Sequence, residues 1–172
     1  MGLGMSDEDF WSVWLGSDTV TLLETGKIDE REFFERFPEE IGLAEPVHEF
    51  RQRMQRWQLE LFPGVIDMLG QLGASHDIAL LSNTNSIHWR MVDPDGHFRG
   101  LFDHVFLSFE VGHAKPHREI FEHVLNAVRN DPGDILFLDD TENNVAAAAS
   151  IGIRSERVIG LAGIRSALAL GD

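Results

Sequence analysis

The sequence predicts an α/β protein in which a parallel sheet follows a helical region. Over the first ~60 residues, apolar side chains recur only at helical spacing. From Phe62-Pro63-Gly64 onwards, short apolar runs of strand length alternate with amphipathic segments. Strands that are apolar on both faces and separated by helices are typical of a parallel sheet covered on both sides. We therefore expect residues 1–61 to be helical and residues 62–172 to form the α/β part.

Four helices are predicted in the first region. Ser6 is placed to cap the first helix and Asp29 to cap the third, Gly26 is expected to end the second, and the fourth begins near Pro46. Aromatic side chains at helical spacing normally form a core, so we assign none of them to a ligand. The apolar positions of the four helices are, in order, Phe10, Trp11 and Trp14; Val20, Leu22 and Leu23; Phe33, Phe34 and Phe37; and Phe50, Met54, Trp57 and Leu61.

The α/β part is predicted as alternating helices and strands. Strands are expected at 77–82, 104–108, 135–139 and 157–159, and helices at 65–72, 86–91, 118–128, 143–150 and from 164. In a parallel α/β sheet a ligand binds at the carboxyl ends of the strands. Ser82 and the pair Asp139-Asp140 stand at such ends.

Composition excludes several classes of function. With 172 residues, 43% of them apolar, the chain is long enough for one domain with a small appendage. A formal charge of −15 disfavours nucleic acid and anionic membranes as partners. The lack of cysteine fits the cytoplasm, and no apolar run reaches the ~18 residues that span a bilayer. The eight histidines lack the HExxH spacing of a zinc helix, so we interpret them as surface or packing residues.

The polar residues at the predicted strand ends allow more than one interpretation. Asp139 and Asp140 either cap the following helix or hold a hard cation such as Mg²⁺, with Asn144 supporting that site. Lys115 is either a solvated loop residue or a cation aimed at a carboxylate and a phosphate. Ser82 lacks the G-x-S-x-G glycines of a nucleophilic serine and is better suited to hold an anion.

Taken together, these segments resemble the second, third and fourth motifs of the haloacid dehalogenase superfamily. The matching residues are Leu80-Leu-Ser-Asn-Thr-Asn85, Gly112-His-Ala-Lys-Pro-His-Arg-Glu-Ile-Phe121 and Phe137-Leu-Asp-Asp-Thr-Glu-Asn-Asn144. Phe62-Pro-Gly-Val65 is similar to the family's return from a helical cap to its core. The resemblance is strongest to the branch of sugar-phosphate phosphatases and epoxide hydrolase phosphatase domains. It implies a Rossmann-like parallel core, 62–172, behind a helical cap, 1–61.

The resemblance also implies roles for individual residues. Ser82 and the Asn83 backbone would hold the phosphate, and Lys115 would bridge the phosphate and the nucleophile. Asp140 and Asp139 would bind Mg²⁺, with Asn144 behind them. The paired carboxylates resemble those of the family's phosphatases, because its dehalogenases work without a metal and lack such a pair. The expected ligand is a small phosphorylated metabolite, and no nucleic acid or membrane partner is implied.

The family's nucleophile motif is not found in the sequence. Family phosphatases begin with a central apolar strand that ends in Asp-x-Asp, whose first aspartate attacks phosphorus. Asp7-Glu-Asp9 follows no strand, and Asp93-Pro-Asp95 comes after the hydroxyl motif and favours a turn. We therefore expect a core that lacks its first, central strand, and a chain that is inactive as written.

Three explanations of the missing strand stay open. The reading frame started too late, the chain is a genuine truncated relative, or another segment or subunit completes it. A non-catalytic phosphate-binding or interaction protein is the alternative function. In that case an exposed sheet edge could support a homo-oligomer.

Overall fold

The computed structural model describes residues 7–43, 46–55 and 61–169. The α-helices are α1 Asp7–Gly16, α2 Asp18–Glu24, α3 Glu30–Glu40, α4 Val47–Gln55, α5 Val65–Gly73, α6 Ser86–Val92, α7 Ser108–Val111, α8 Arg118–Val128, α9 Glu142–Ala149 and α10 Gly160–Ala167. The strands are β1 Ala79–Ser82, β2 His104–Leu107, β3 Leu136–Asp139 and β4 Arg154–Arg157. Helices alone occupy the described residues before 61, and strands alternate with helices after it.

Side-chain caps set the beginnings of α2 and α3. The Asp29 carboxylate accepts from the Glu32 N–H at 2.8 Å, which confirms the predicted cap of α3. Ser17 caps α2 in the same way, by accepting from the Val20 N–H. Ser6, the predicted cap of α1, and Trp57 lie outside the described residues. Leu61 lies outside the described helices and is 41% exposed, so it is not a buried helix position as predicted.

The helices before residue 61 pack around a core of aromatic side chains. Phe33 and Phe37 stack with their ring centroids 5.1 Å apart, and both are fully buried. Trp14 packs edge-on against both rings. Ile87 of α6 belongs to the same cluster, although it comes from the α/β part. The boundary at 61/62 stays a prediction, because the two parts share this core.

One polar contact ties α3 to α6. The Glu30 carboxylate accepts from both terminal nitrogens of Arg90, at 2.5 and 2.7 Å, and from the Ser86 hydroxyl at 2.7 Å. The hydrogen bonds from Arg90 lower the pKa of the Glu30 carboxyl below its usual value. Because only three residues separate the end of β1 from the start of α6, this contact joins the helical region to the segment that follows Ser82.

A close backbone approach makes a second link between the two parts. Gly26 follows α2 with φ +63°, and a Cβ at this position would lie 2.2 Å from the Phe109 carbonyl oxygen in α7. Only glycine permits that approach, because the atom in the way belongs to the backbone.

We expect Gly26→Ala to destabilise the protein much more than Gly42→Ala. Gly42 has a similar φ of +65°, but a Cβ there would meet nothing within 4 Å. Both substitutions force an alanine into the left-handed region, at about 1–2 kcal/mol. Gly26→Ala also overpacks against the Phe109 backbone, which adds roughly 2 kcal/mol or more. Urea denaturation measures both free energies of unfolding, and equal losses would show that the approach to Phe109 is not tight.

The strands form two parallel pairs. β1 pairs with β2, with Ser82 opposite Leu107, and β3 pairs with β4, with Asp139 opposite Arg157. In the described part of the chain, no ladder joins β1 to β3, so the predicted sheet is present as two separate halves. This is the gap that a missing central strand would leave.

Helix α8 packs against both halves and holds them together. Its Ile120 and Phe121 are buried in one cluster with Leu81 of β1 and Phe137 of β3. β1 and β3 are less buried than the prediction of fully buried strands requires. Ala79 and Leu136, the first residues of β1 and β3, are both exposed.

The last predicted strand was misplaced. β4 is the charged segment Arg154–Arg157, whereas the prediction placed a strand at 157–159 because Val158 and Ile159 are apolar. β4 is an edge strand paired only with β3, so its side chains stay exposed and need not be apolar. Ile159 instead lies just before α10 and is 66% exposed.

None of the described helices combines the length and the apolar character that crossing a membrane requires. Among the described histidines, His88 is a packing residue: its ring stacks on Trp14 at 5.2 Å. Burial lowers the pKa of His88 to about 4. His88 therefore stays neutral at pH 7.

Candidate active site

Lys115 connects the carboxyl ends of β1 and β3. Its ammonium donates to the Leu81 carbonyl oxygen at 3.0 Å and to Asp139 Oδ2 at 2.6 Å. The two charged side chains are only 11% and 6% exposed. A lysine ammonium has three hydrogens, so these two bonds leave one for a further acceptor. The ammonium thus lies where the two half-sheets face each other, 5.6 Å from the centre of the Phe137 ring.

Asp139 is held as a carboxylate by three donors. Oδ2 accepts from Lys115, and Oδ1 accepts from the Thr141 N–H at 2.9 Å and from Asn144 Nδ2 at 3.0 Å. Burial by itself would raise the pKa of Asp139, but these hydrogen bonds outweigh it, so the pKa lies below the usual value. Asn144 therefore contacts Asp139 rather than Asp140, and it does so through its amide nitrogen.

Asp140 has different surroundings, although it is the next residue. It is exposed, and its Oδ1 accepts from the Thr141 hydroxyl at 3.2 Å. Its main-chain oxygen accepts from Arg157 Nε at 2.8 Å. Among the described residues, no cluster of three or more His, Asp or Glu side chains is arranged to hold a metal ion. Of the two adjacent carboxylates, Asp140 is thus the one open to a cation.

Ser82 and Asn83 lie beside Lys115. Ser82 ends β1 and is half-buried, and its hydroxyl makes no hydrogen bond to another described residue. The Asn83 side chain turns to the main chain of Lys115. Its Nδ2 donates to the Lys115 carbonyl at 2.8 Å, and its Oδ1 accepts from the Lys115 N–H at 2.8 Å. The structure thus brings Ser82, Asn83, Lys115 and Asp139 to one edge, with Asp140 next to them.

Sequence reasoning did not identify Ser108 or Arg157 as part of this edge. The buried Ser108 hydroxyl accepts from the Thr84 N–H and donates to the Thr84 carbonyl, both at 2.9 Å, and so fixes the segment after Ser82. Ser108 could have been found by the same signal that indicated Ser82, because both hydroxyls stand at the end of a predicted strand. Arg157 stands opposite Asp139 in the ladder, and that register is not readable from the sequence.

The two carboxylate pairs that resemble the missing nucleophile lie elsewhere. Asp93 accepts from the N–H groups of Phe98 and Arg99, so its carboxylate closes the turn predicted at 93–96. Asp95 is exposed and, with Asp93 and Phe98, lines a cavity of about 270 Å³ to which neither Lys115 nor Asp139 contributes. Asp7 and Asp9 lie in the first turn of α1. The described geometry therefore assigns none of them to the site.

The chain is similar to proteins of a known family. A family model described as haloacid dehalogenase-like hydrolase matches residues 4–152. The chain is 28% identical over 140 residues to the D-ribitol-5-phosphate phosphatase of Bacteroides thetaiotaomicron, covering 77% of the chain and 68% of that protein. It is 27% identical over 142 residues to a sesquiterpene phosphatase of Aspergillus oryzae, covering 81% of the chain and 71% of the relative.

Solved structures of similar proteins give the same result. The HAD family enzyme bt-2542 from Bacteroides thetaiotaomicron superimposes with a TM-score of 0.79 at 26% identity, over 94% of this chain and 82% of that one. A structure of that enzyme in complex with magnesium and inorganic phosphate superimposes with a TM-score of 0.76, also at 26% identity, over 90% and 81% of the two chains. The α/β fold with parallel strands is thereby confirmed. The chain belongs to the haloacid dehalogenase-like hydrolase family.

Proposed function

We propose that this chain carries the phosphate-binding and metal-binding residues of a Mg²⁺-dependent phosphomonoester phosphatase that acts on a small sugar or polyol phosphate. The observation that carries the proposal is the Lys115 ammonium, held between the Leu81 carbonyl and Asp139 beside an exposed Asp140. A fixed cation at that position can stabilise the charge that develops on a transferring phosphoryl group.

The phosphate would lie at the ends of β1 and β3. The Ser82 hydroxyl and the Asn83 N–H would donate to its oxygens, and Lys115 would contribute its third ammonium hydrogen. Each of these groups lies at the end of β1 or contacts it, so a small anion could reach all three. Asp139 is not available for nucleophilic attack, because both of its oxygens already accept hydrogen bonds. We assign the neighbouring Asp140 to the metal ion instead.

The metal role fits Asp140 better than Asp139. Mg²⁺ takes one or two carboxylates together with water and phosphate oxygens. Asp140 offers an exposed carboxylate, whereas both oxygens of Asp139 already accept hydrogen bonds from Lys115 and its neighbours. When bound, the cation would neutralise charge on the phosphate. Arg157 would hold the Asp140 main chain in place during binding.

The substrate class rests on the relatives. One similar protein is named a D-ribitol-5-phosphate phosphatase and another a sesquiterpene phosphatase, so both names are those of phosphatases. The polyol phosphate is the smaller substrate. We propose a small sugar or polyol phosphate for this chain on the strength of that first relative.

Calorimetric titration of inorganic phosphate into residues 1–172 tests the proposal. We expect weak binding that Lys115→Ala weakens at least about tenfold, because a charge-assisted hydrogen bond is lost. Lys27, the other lysine of the chain, is exposed in the helical region, and Lys27→Ala should leave the affinity unchanged.

Two outcomes of these titrations would count against the proposed site. Equal losses of phosphate affinity in Lys115→Ala and Lys27→Ala would exclude a phosphate site at Lys115. Mg²⁺ alone should bind weakly, because a single carboxylate leaves the ion most of its water. Tight Mg²⁺ binding that Asp140→Ala abolishes would mean that further ligands lie nearby.

The gap between β1 and β3 favours a second candidate function, an interaction protein. Unpaired edges of parallel strands can accept a further strand from another chain. Sedimentation at increasing concentration tests this candidate: a size that grows with concentration would favour the interaction protein.

A further inference from the structure

We propose that the Asn83 side chain is a positioning residue that fixes Lys115 through its main chain and thereby sets where the ammonium lies. The chemical role of Lys115 at that place rests on the proposed function. The inference that the Asn83 amide fixes the position of Lys115 is independent of the proposed function. The role is distinct from the phosphate contact expected of the Asn83 backbone.

The two hydrogen bonds form a matched pair. A side-chain amide carries one acceptor oxygen and one donor nitrogen, and a residue's main chain offers one donor and one acceptor. Asn83 Nδ2 and Oδ1 meet the Lys115 carbonyl and N–H, each at 2.8 Å. The bonds join residues 32 positions apart in the sequence. This arrangement fixes the direction of the Lys115 main chain as well as its distance from β1.

Little else described holds the main chain of Lys115. The residue lies between α7 and α8, outside any helix or ladder. A main-chain hydrogen bond in that connection, from the His117 N–H to the Ala114 carbonyl, spans Lys115 without using its own N–H or carbonyl. The described hydrogen bonds of Lys115 to other segments are therefore those of its ammonium and those with the Asn83 side chain.

The Asn83 side of the contact is rigid. Ser108 holds the N–H and carbonyl of Thr84, the next residue. Asn85, which is fully buried, caps α6 by accepting from the N–H groups of Ile87 and His88. Asn83 thus extends from a segment whose next two residues are fixed. A rigid anchor of this kind transmits its position to the main chain that it binds.

The consequence for the ammonium follows from the length of the lysine side chain. Four methylene groups separate its charge from the main chain, and their rotamer freedom is lost only if the main chain stays in place. Without the Asn83 amide, the ammonium would keep Asp139 but leave the Leu81 carbonyl for part of the time. Displacing a catalytic or binding group by about 1 Å can cost on the order of 10²-fold in rate.

The composition of the chain makes the position of Lys115 directly measurable. Lys27 and Lys115 are the two lysines of the sequence, so ¹⁵N-lysine labelling gives two ammonium signals, and Lys27→Arg assigns them. Lys115 is 11% exposed with two acceptors, so its protons should exchange with water more slowly than those of the exposed Lys27.

We expect Asn83→Ala to speed the exchange of the Lys115 ammonium protons at least roughly fivefold and to shift their signal. Asn83→Asp, which keeps the shape but loses the donor, should have an intermediate effect. Asn126→Ala, on the exposed face of α8, should change neither signal. If Asn83→Ala does not fold, Asn83→Asp serves in its place.

Unchanged exchange and shift of Lys115 in the folded Asn83 variants would overturn the proposal. A change in Lys115 together with phosphate binding lost in Asn83→Ala would support it along with the proposed function. A change in Lys115 in a chain that binds no phosphate would leave the positioning role standing and refute the proposed function alone.

Discussion

A chain that joins an apolar strand ending in Asp-x-Asp to residues 1–172 should hydrolyse p-nitrophenyl phosphate, and Lys115→Ala should abolish that hydrolysis. Residues 1–172 alone should give no detectable turnover. At the described edge Asp139 accepts hydrogen bonds through both oxygens, and Asp140 is proposed to hold the metal ion. No carboxylate there is therefore assigned to attack phosphorus, and without a nucleophile the covalent route is closed. Removing a single electrostatic stabiliser typically costs ~10²–10³ in rate, so the loss of Lys115 should also be large.

Matched variants make this assay specific. Lys27→Ala removes the other lysine and should keep full activity. Replacing the first aspartate of the added strand by asparagine should abolish turnover as completely as Lys115→Ala does. Hydrolysis by residues 1–172 alone that Lys115→Ala removes would mean that a carboxylate within the chain attacks phosphorus. Asp93 and Asp95 would then be the first to replace.

The second large effect concerns stability. Lys115 and Asp139 form a buried ion pair. Lys115→Met and Asp139→Asn should each destabilise the protein by about 3 kcal/mol, because the remaining buried group loses its partner. The double variant should cost less than the sum, with a coupling of about 1–3 kcal/mol. Urea denaturation of the wild type, the two single variants and the double variant gives the free energies of unfolding for this double-mutant cycle. Additive losses would show that the two side chains do not stabilise each other.

The same pair gives the sign of the pH dependence. The pKa of Asp139 is lower in the folded chain than in the unfolded one, where it is ~3.9. Its stabilisation is therefore fully present above that value and is lost as the pH falls through the folded pKa. In Asp139→Asn the free energy of unfolding should vary less with pH in this acidic range. A variant that loses stability in acid as steeply as the wild type would contradict this.

Much of the secondary structure was predictable because its signals are local. Asp29 before an amphipathic run predicted the start of α3, and the spacing of 118–128 predicted α8 over its full length. Strands β1, β2 and β3 fall within the predicted 77–82, 104–108 and 135–139. β4 was misplaced because hydrophobicity marks buried strands, whereas an edge strand needs only a partner for its backbone.

Part of the site was predictable for the same reason. Polar residues directly after apolar runs indicated Ser82, Asp139 and Asp140, and Lys115 stood out between them. The roles of these residues stay predictions. Pattern alone could not distinguish Asp139 from Asp140, because the two are neighbours in the sequence and differ only in what approaches them.

The sequence by itself therefore determined the α/β class and the polar residues at the strand ends, because spacing along the chain encodes them, and its motifs carried the resemblance to the family. The tertiary structure decided which of these residues contact one another. Lys115 contacts Asp139 from 24 residues away, Asn83 binds the Lys115 main chain across 32 residues, and Arg157 reaches Asp140 across 17. These contacts depend on how separate segments pack on α8 and across the gap between β1 and β3. Packing between distant segments has no local signal in a single sequence.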